Sequence, residues 1–237
     1  RFPQPDVPSA ELDPALERSD LPMPELSELD VVRHFTLLSE LNYAVDLGFY
    51  PLGSCTMKYN PKICERTARM PGFSQLHPAQ PIETLQGALL LVYEMQDILQ
   101  KVSGFTAGSL TPAAGAQGEF CGVKMIAAYH ADRKNDRRKV MLIPDSAHGT
   151  NPASSVMSGF TVKPVPTDAR GNIDLDGLRA LCNEDLAGIM ITNPNTLGLF
   201  DENIDQVTGL IHQAGGLVYG DGANMNALLG GVKPAEL

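Results

Sequence analysis

Two stretches in the first half of the chain carry apolar residues at helical spacing. Residues 31–41 place theirs three or four positions apart, which predicts a short helix with Asp30 as its N-cap. Residues 85–99 repeat this spacing, and Gly104 marks the end of that second helix. Residues 1–30 are instead rich in proline and acidic side chains and lack a period, so we predict an extended arm there.

Helices and strands alternate in the second half of the chain. The pattern predicts helices at 116–133, 176–183 and 203–214, and strands at 140–143, 161–166, 188–192 and 217–220, with a short helix before the second strand. Strands joined by helices form right-handed crossovers, so we expect a mostly parallel sheet covered on both faces. Segment 42–61 is broken by Gly and Pro and is predicted as loop. We therefore divide the chain into an arm with a short helix, 1–60, and a large α/β domain, 61–237.

Composition and charge narrow the class of protein. The 237 residues are 43% hydrophobic, enough for a substantial core. A formal net charge of -10 argues against nucleic-acid binding, which needs clustered Lys and Arg. The sequence has no run of about 18 apolar residues and no apolar segment near its start, so we expect neither a membrane span nor secretion. The 4 cysteines lack CxxC spacing, which predicts no metal site and no disulfide framework; a reducing cytoplasm fits best.

Polar loops rich in glycine and asparagine follow three of the predicted strands. Their sequences are DSAHGTNPAS, NPNTLGLF and DGANMNA, and a fourth segment of small residues, LTPAAGAQGEF, leads into the helix at 116. In open parallel sheets, ligands bind beyond the carboxyl ends of the strands, where such loops meet. We therefore expect one binding site at this edge of the sheet.

Two of these segments favour particular chemistry. Gly115, Ala116 and Gln117 lie at a helix start, where free backbone N–H groups and the helix dipole would hold a phosphate. A small-residue turn that permits tight helix packing is the alternative. Asp221 lies between two glycines after an apolar strand, where a buried carboxylate would keep a heteroaromatic nitrogen protonated. That is the chemistry of pyridoxal phosphate, although Asp221 would equally serve as an N-cap of the next helix.

Further candidates come from the loops after the first and third strands. His148 lies between Ala147 and Gly149, whose small side chains leave room for a flat ligand against the imidazole. Asn193 and Thr196 offer amide and hydroxyl groups suited to a phenolic oxygen on the same ligand, although NPNTLG is also typical of an Asx turn.

The motifs in these loops resemble those of one family. PLGSCTMKYNP, AAGAQGEF, DSAHGTNPAS, TNPNTLGLF and DGANMNA resemble, in this order and spacing, glycine decarboxylase, the P-protein of the glycine cleavage system. The segment VVRHFTLLSELNYAVDLGFYPLGSCTMKYNPK is similar to the start of subunit 2 of the two-subunit bacterial form. The resemblance implies the aspartate-aminotransferase-like fold, called fold type I among pyridoxal-phosphate enzymes.

The same resemblance implies an activity and its residues. Glycine bound to pyridoxal phosphate loses CO2, and its aminomethyl group passes to the lipoyl arm of the H-protein. The partners implied are therefore glycine, the lipoylated H-protein, and either companion subunit 1 or a second copy of the chain. The cofactor residues implied are Gly115, Ala116 and Gln117 at the phosphate, His148 over the ring, Ala223 under it, Asp221 at its nitrogen, and Asn193 or Thr196 at its phenolic oxygen.

The segment SCTMK resembles a part of the family that borders the active site and the lipoyl route. It contains Ser54, Cys55, Thr56 and Lys58, and a purely structural role in anchoring the arm is the alternative.

One departure from the family bears on activity. The family's Schiff-base lysine follows the DGAN motif in an HKT sequence, which would lie beyond residue 237, and Lys233 has a different context. We therefore expect the amino-terminal half of a longer subunit, or else a stand-alone truncation, with the fold incomplete at its carboxyl end and residues 1–237 alone inactive. Two other hypotheses remain: another fold type I lyase or transferase, and a non-catalytic scaffold subunit that lacks the lysine.

Overall fold

The computed structural model describes residues 13–16, 20, 22–48 and 59–237, and it divides into two compact units, 1–48 and 49–237. The first unit contains a short 3-10 helix and helix α1 (Glu28–Glu40). Its N-cap is Ser27 and not Asp30, which corrects the sequence prediction. The Ser27 hydroxyl accepts the Asp30 N–H at 3.1 Å, and Asp30 lies in the first turn, where a negative charge suits the helix dipole.

In the second unit, several helices come before the sheet along the chain. Helices α2 (Lys62–Ala68) and α3 (Pro71–Ser74) were not predicted. Helix α4 (Gln86–Ser103) was predicted, and it ends at Gly104, which has a φ of 82°. This left-handed conformation favours glycine and confirms the predicted end of the helix.

The α/β part follows the predicted alternation closely. Its elements are α5 (Gly115–Asp132), β1 (Val140–Pro144), α6 (Thr150–Met157), β2 (Thr161–Val165), α7 (Leu175–Leu181), β3 (Leu186–Thr192), α8 (Ile204–Gln213) and β4 (Leu217–Asp221). The strands lie in the order β2-β1-β3-β4, and every pairing is parallel. Two short 3-10 helices follow β4. The predicted parallel sheet is therefore confirmed.

Both faces of the sheet are covered, as predicted. Side chains alternate along each strand, so Leu142 and Ile189 pack on the face that α7 and α8 cover. Met141 and Met190 pack on the opposite face, against Val123 of α5. Strands β1 and β3 are buried along their whole length, whereas β4 is only partly buried.

The strand order places a topological switch point between β1 and β3. The chain leaves β1 towards β2 on one side, and it returns past β1 to add β3 and β4 on the other. Loops after strands that diverge in this way leave a crevice at the carboxyl edge of the sheet, where ligands bind in open α/β folds. The loops 145–149 and 193–200 flank this crevice.

Close approach of β3 and β4 depends on Gly188. A Cβ atom built at Gly188 would lie 2.4 Å from the carbonyl oxygen of Leu217 on β4. Gly188→Ala would therefore push apart two strands of the sheet, and we expect the free energy of unfolding to fall by about 3 kcal/mol. Urea unfolding of the wild-type protein and of Gly188→Ala measures this loss in the free energy of unfolding.

Gly209→Ala on α8 is the matched control, because a Cβ there meets no atom within 4 Å. Alanine in a helix interior should raise stability by about 0.5–1 kcal/mol. Equal unfolding midpoints for the two variants would contradict the close contact at Gly188.

Candidate active site

The start of α5 presents backbone N–H groups at the expected place. Ala114 is the N-cap and has no side chain that can accept their hydrogen bonds, and both Gly115 and Ala116 are exposed. The first N–H groups of a helix have no intrahelical partner. A Cβ built at Gly115 or Gly118 would meet no atom within 4 Å, so there is open space in front of the helix.

Gln117 has both its backbone N–H and its side-chain oxygen engaged at the start of α5. Its backbone N–H is not free, because it donates to the carbonyl of Ala114 at 3.1 Å. Its side-chain oxygen accepts the N–H of Ala113 at 2.7 Å, much as the third residue of a capping box does. Gln117 therefore stabilises the start of α5, and the backbone groups left for an anion are those of Gly115 and Ala116.

Asp221 is the last residue of β4, and both of its carboxylate oxygens are held. Oδ1 accepts the N–H of Ala223 at 2.9 Å, and Oδ2 accepts the hydroxyl of Thr192 at 3.2 Å. The following 3-10 helix has Asn224 as its N-cap, so the alternative that Asp221 caps it is wrong. The Asp221 side chain is half-buried, and Ala223, two residues later in the chain, is exposed.

His148 lies in the loop between β1 and α6, with its ring exposed. Its Nδ1 contacts the hydroxyl of Thr150 and accepts the Thr150 N–H at 3.3 Å. A Cβ built at the adjacent Gly149 would meet no atom within 4 Å, so there is open space beside that residue.

The loop after β3 is held by its own asparagines. Asn195 accepts the N–H groups of Leu197 and Leu199 at 3.0 and 3.1 Å, so the Asx turn is confirmed. Asn193 accepts the N–H of Asp201 at 3.0 Å through Oδ1, while its Nδ2 is buried without a partner among the described residues. The hydroxyl of Thr196 donates to the carbonyl of Ser146 across the switch point.

Glu119 is a site residue that the sequence analysis missed. It lies one helical turn into α5 and is only 8% exposed. Ser154 of α6 donates its hydroxyl to Glu119 Oε2 at 3.3 Å. A carboxyl between Gly118 and Phe120, in a helix start made mostly of small and apolar residues, was the available signal, because charged groups are rarely buried without a partner.

The electrostatic surroundings of Glu119 connect it with the predicted residues. Burial, and after it the negative charge of Asp221, raises the pKa of Glu119 above its usual range. Hydrogen bonds from Ser154 and Thr150 and the nearby ring of His148 partly oppose this increase. Glu119 thus lies within electrostatic reach of both Asp221 and His148.

Gly122 brings α5 close enough to β4 for this arrangement. A Cβ at Gly122 would lie 2.4 Å from the ring of Tyr219, which is two residues before Asp221 on the same face of β4. Burial, with smaller contributions from the charges of Asp221 and Glu119, raises the pKa of Tyr219 to about 12. The phenol of Tyr219 is therefore uncharged at neutral pH.

The remaining candidates from the sequence are not among these contacts. Ser54, Cys55, Thr56 and Lys58 fall outside the described residues. Lys233 pairs with Glu236 at 3.4 Å and lies near Gly104, at the end of α4.

Comparison with known proteins identifies relatives along almost the whole chain. The probable glycine dehydrogenase (decarboxylating) subunit 2 of Caldanaerobacter subterraneus subsp. tengcongensis is 54% identical over 222 residues, which are 94% of this chain and 46% of the relative. The protein of the same name from Nitrosococcus oceani is 52% identical over 236 residues, which are 99% of this chain and 49% of the relative. No protein-family model matches. The chain spans about half the length of these curated relatives.

Solved structures share the fold. A glycine decarboxylase (P-protein) of the glycine cleavage system, in inhibitor-bound form, matches with a TM-score of 0.64 at 23% identity, over 85% of this chain and 44% of that one. Burkholderia pseudomallei sphingosine-1-phosphate lyase matches with a TM-score of 0.64 at 16% identity, over 93% of this chain and 55% of that one.

These two structures and the parallel sheet in the order β2-β1-β3-β4 show the fold that is called fold type I among pyridoxal-phosphate enzymes. Within that class, the chain belongs to the glycine dehydrogenase (decarboxylating) subunit 2 family. The resemblance inferred from the loop motifs is confirmed.

Proposed function

We propose that this chain forms the cofactor pocket of a glycine decarboxylase. The observation that carries the proposal is the 54% identity with a glycine dehydrogenase (decarboxylating) subunit 2 over 94% of the chain. In a subunit of the relatives' length, here called the complete subunit, glycine would lose CO2 and its aminomethyl group would pass to the lipoyl disulfide of the H-protein. Because that disulfide is reduced, the reaction is an oxidoreduction.

Pyridoxal phosphate is the cofactor we propose, and the described residues fit it. Its phosphate would lie at the start of α5, against the N–H groups of Gly115 and Ala116, with the positive end of the helix dipole behind them. Gln117 would act indirectly by holding the helix start in shape through Ala113. The open space at Gly115 supports this position.

Asp221 would hold the protonated ring nitrogen. When bound, the cofactor supplies an electron sink for the carbanion left after CO2 is lost, and a protonated ring nitrogen is what makes it one. A carboxylate stabilises that proton because its negative charge raises the pKa of the nitrogen. Thr192 and Ala223 fix the direction of the Asp221 side chain, and one lone pair of each oxygen remains for the ligand.

The remaining ring contacts are assigned from exposure and unused donors. His148 and Ala223 are exposed and would face the two sides of the ring. For the phenolic oxygen we favour Asn193 over Thr196, because Thr196 already gives its single hydrogen to Ser146. The Nδ2 group of Asn193 has two hydrogens and no partner in the described part of the chain.

The partners we propose are glycine, the lipoylated H-protein, and companion subunit 1 or a second copy of the chain. We propose that the route of the lipoyl arm is bordered by Ser54, Cys55, Thr56 and Lys58.

In the described part of the chain no helix is both long and apolar enough to cross a membrane. We propose a cytoplasmic location, since the scattered cysteines suit a reducing compartment.

The test uses the complete subunit together with companion subunit 1. We expect it to bind pyridoxal phosphate, seen as cofactor absorbance, and to exchange labelled bicarbonate into the carboxyl of glycine when lipoylated H-protein is present. Exchange of labelled bicarbonate into a different amino acid, with none into glycine, would favour another fold type I lyase. Failure to bind the cofactor would favour a scaffold subunit. Either result would overturn the proposal.

A further inference from the structure

Helix α5 runs antiparallel to the strands that it covers. In the first half of the helix, Gly122 approaches Tyr219, which lies in the middle of β4. Near the end of the helix, Nε2 of His130 contacts the carbonyl oxygen of Ala187 at 2.8 Å, and Ala187 lies near the beginning of β3. The start of α5 is therefore at the carboxyl edge of the sheet, where β4 ends with Asp221.

Two of the proposed cofactor contacts thus lie at this edge on neighbouring elements. Gly115 and Ala116 are in the first turn of α5, and Asp221 is at the end of β4. A ligand that uses both contacts must span the gap between helix and strand. The length of pyridoxal phosphate is nearly fixed, because only its short phosphate arm can rotate. The distance between α5 and β4 therefore decides whether both ends of the cofactor can be bound.

Gly122 and Tyr219 form the close contact that limits this distance. A Cβ at Gly122 would lie 2.4 Å from Cε2 and 2.7 Å from Cδ2 of the Tyr219 ring, much shorter than ordinary van der Waals contact. The ring has little room to turn away, because Tyr219 packs against the buried cluster that includes Val123 and Met190. An added methyl group would therefore lift α5 from β4 by about 1 Å.

The contact of His130 would enlarge this movement at the start of the helix. The His130 side chain is only 3% exposed, and its contact with Ala187 holds the carboxyl end of α5 in place. From His130 the helix extends about 12 Å to Gly122 and about 22 Å to Gly115, at a rise of about 1.5 Å per residue. A tilt about His130 that moves Gly122 by about 1 Å would therefore move Gly115 by about 2 Å.

The backbone at position 122 does not itself require glycine. Gly122 lies inside a helix and is not among the glycines with a positive φ. Glycine in a helix interior is less stable than alanine. The space beside Tyr219 is therefore the feature of this position that excludes a side chain.

We propose that Gly122 and Tyr219 are positioning residues that set the gap between the phosphate contact at the start of α5 and Asp221. In this way they favour a ligand that reaches both contacts over one that binds at a single end. The inference rests on the proposed function, because it takes these two contacts as the ends of the cofactor site. Neither Gly122 nor Tyr219 needs to touch the cofactor.

Urea unfolding of the cofactor-free complete subunit tests the contact itself. Gly122→Ala should lower the midpoint, because the contact with the ring costs more than alanine gains in the helix. Tyr219→Val removes the ring and keeps a residue that suits a strand. In that background Gly122→Ala should instead raise the midpoint. Gly209→Ala on α8 is the control and should raise the midpoint of the wild type, since a Cβ there meets no atom within 4 Å.

Two ligands then separate the gap from the phosphate contact. For pyridoxal phosphate, followed by absorbance, the dissociation constant of Gly122→Ala should be about 10-fold or more above that of the wild type, because closing the gap must overcome the contact with the ring. Inorganic phosphate, measured as a competitor, uses only the start of α5, so its inhibition constant should change by less than about twofold. In the Tyr219→Val background, Gly122→Ala should change both constants by less than about threefold.

A second variant covers the case in which Gly122→Ala does not fold. Tyr219→Trp enlarges the same contact from the side of β4, so it should weaken the binding of pyridoxal phosphate and leave that of inorganic phosphate almost unchanged.

The possible failures are distinguishable. A urea midpoint that rises for Gly122→Ala in both backgrounds would overturn the inference, because the contact with Tyr219 would then not be close. Equal affinity of Gly122→Ala and the wild type for pyridoxal phosphate would overturn it while the proposed function stands. A parallel loss of affinity for pyridoxal phosphate and inorganic phosphate would overturn it too, since that pattern means damage to the start of α5. A wild-type subunit that binds no pyridoxal phosphate would overturn the proposed function, and this inference with it.

Discussion

Asp221→Asn is expected to lower the rate of glycine decarboxylation by the complete subunit by at least about 100-fold, because the neutral amide cannot keep the ring nitrogen of the cofactor protonated. The substitution keeps the shape of the side chain, and the Asn oxygen can still accept the N–H of Ala223. The loss should therefore come from charge and not from misfolding. Cofactor affinity should fall as well, since an ionic contact with the ring is removed.

The measurement compares bicarbonate exchange into glycine and cofactor absorbance for Asp221→Asn and for Asp136→Asn. Asp136 is exposed in the turn between α5 and β1, so its variant should match the wild type. If Asp221→Asn kept full turnover, Asp221 could not be the residue that holds the ring nitrogen, and the proposed pocket would lose its main contact with the cofactor ring.

The α/β half of the fold could be predicted because its pattern is strong and local. Strand β3 is buried along its whole length and reads as a continuous apolar run, and α8 shows one apolar face. Each predicted boundary there lies within a few residues of the structure. The strand order of a sheet is not a local property, yet the alternation of helices and strands was sufficient to predict parallel pairing.

The missed elements have short or unusual sequences. Helices α2 and α3 have 7 and 4 residues, too few to show a period, and a proline stands at the start of each. For α1, both Ser27 and Asp30 are good N-caps by residue type. Their contact with each other decided between them, since the Ser27 hydroxyl accepts the Asp30 N–H.

The loop residues of the site were predictable by type, but their partners were not. Thr192 and Glu119 were missed because their contacts are distant in sequence: Thr192 meets Asp221 29 residues away, and Glu119 meets Ser154 35 residues away. Gln117 was placed at the helix start, but its contact with the N–H of Ala113 could not be predicted, and its part in phosphate binding stays a prediction. Sequence motifs thus indicated the candidate site, whereas tertiary contacts show which of its polar groups remain for a ligand.

Ala116→Glu should separate the proposed phosphate contact from the folding of α5. Ala116 is exposed in the first turn, where a negative charge suits the helix dipole, so the free energy of unfolding should stay equal or rise by about 0.3–1 kcal/mol. The same charge repels the phosphate of the cofactor. At a separation of a few ångströms near a protein surface, the repulsion is about 3 kcal/mol, which corresponds to about 100-fold weaker binding.

Ala116→Gln is the control because it adds the same length without charge, and it should reduce affinity far less. Titration of each complete subunit with pyridoxal phosphate, followed by absorbance, gives the two dissociation constants, and repeating it at high salt should narrow the difference between them through screening. A stable Ala116→Glu variant with weak cofactor binding would support a phosphate at the start of α5. If the Glu and Gln variants bound the cofactor equally well at low salt, the phosphate would have to lie elsewhere, because a carboxylate beside it cannot be without effect.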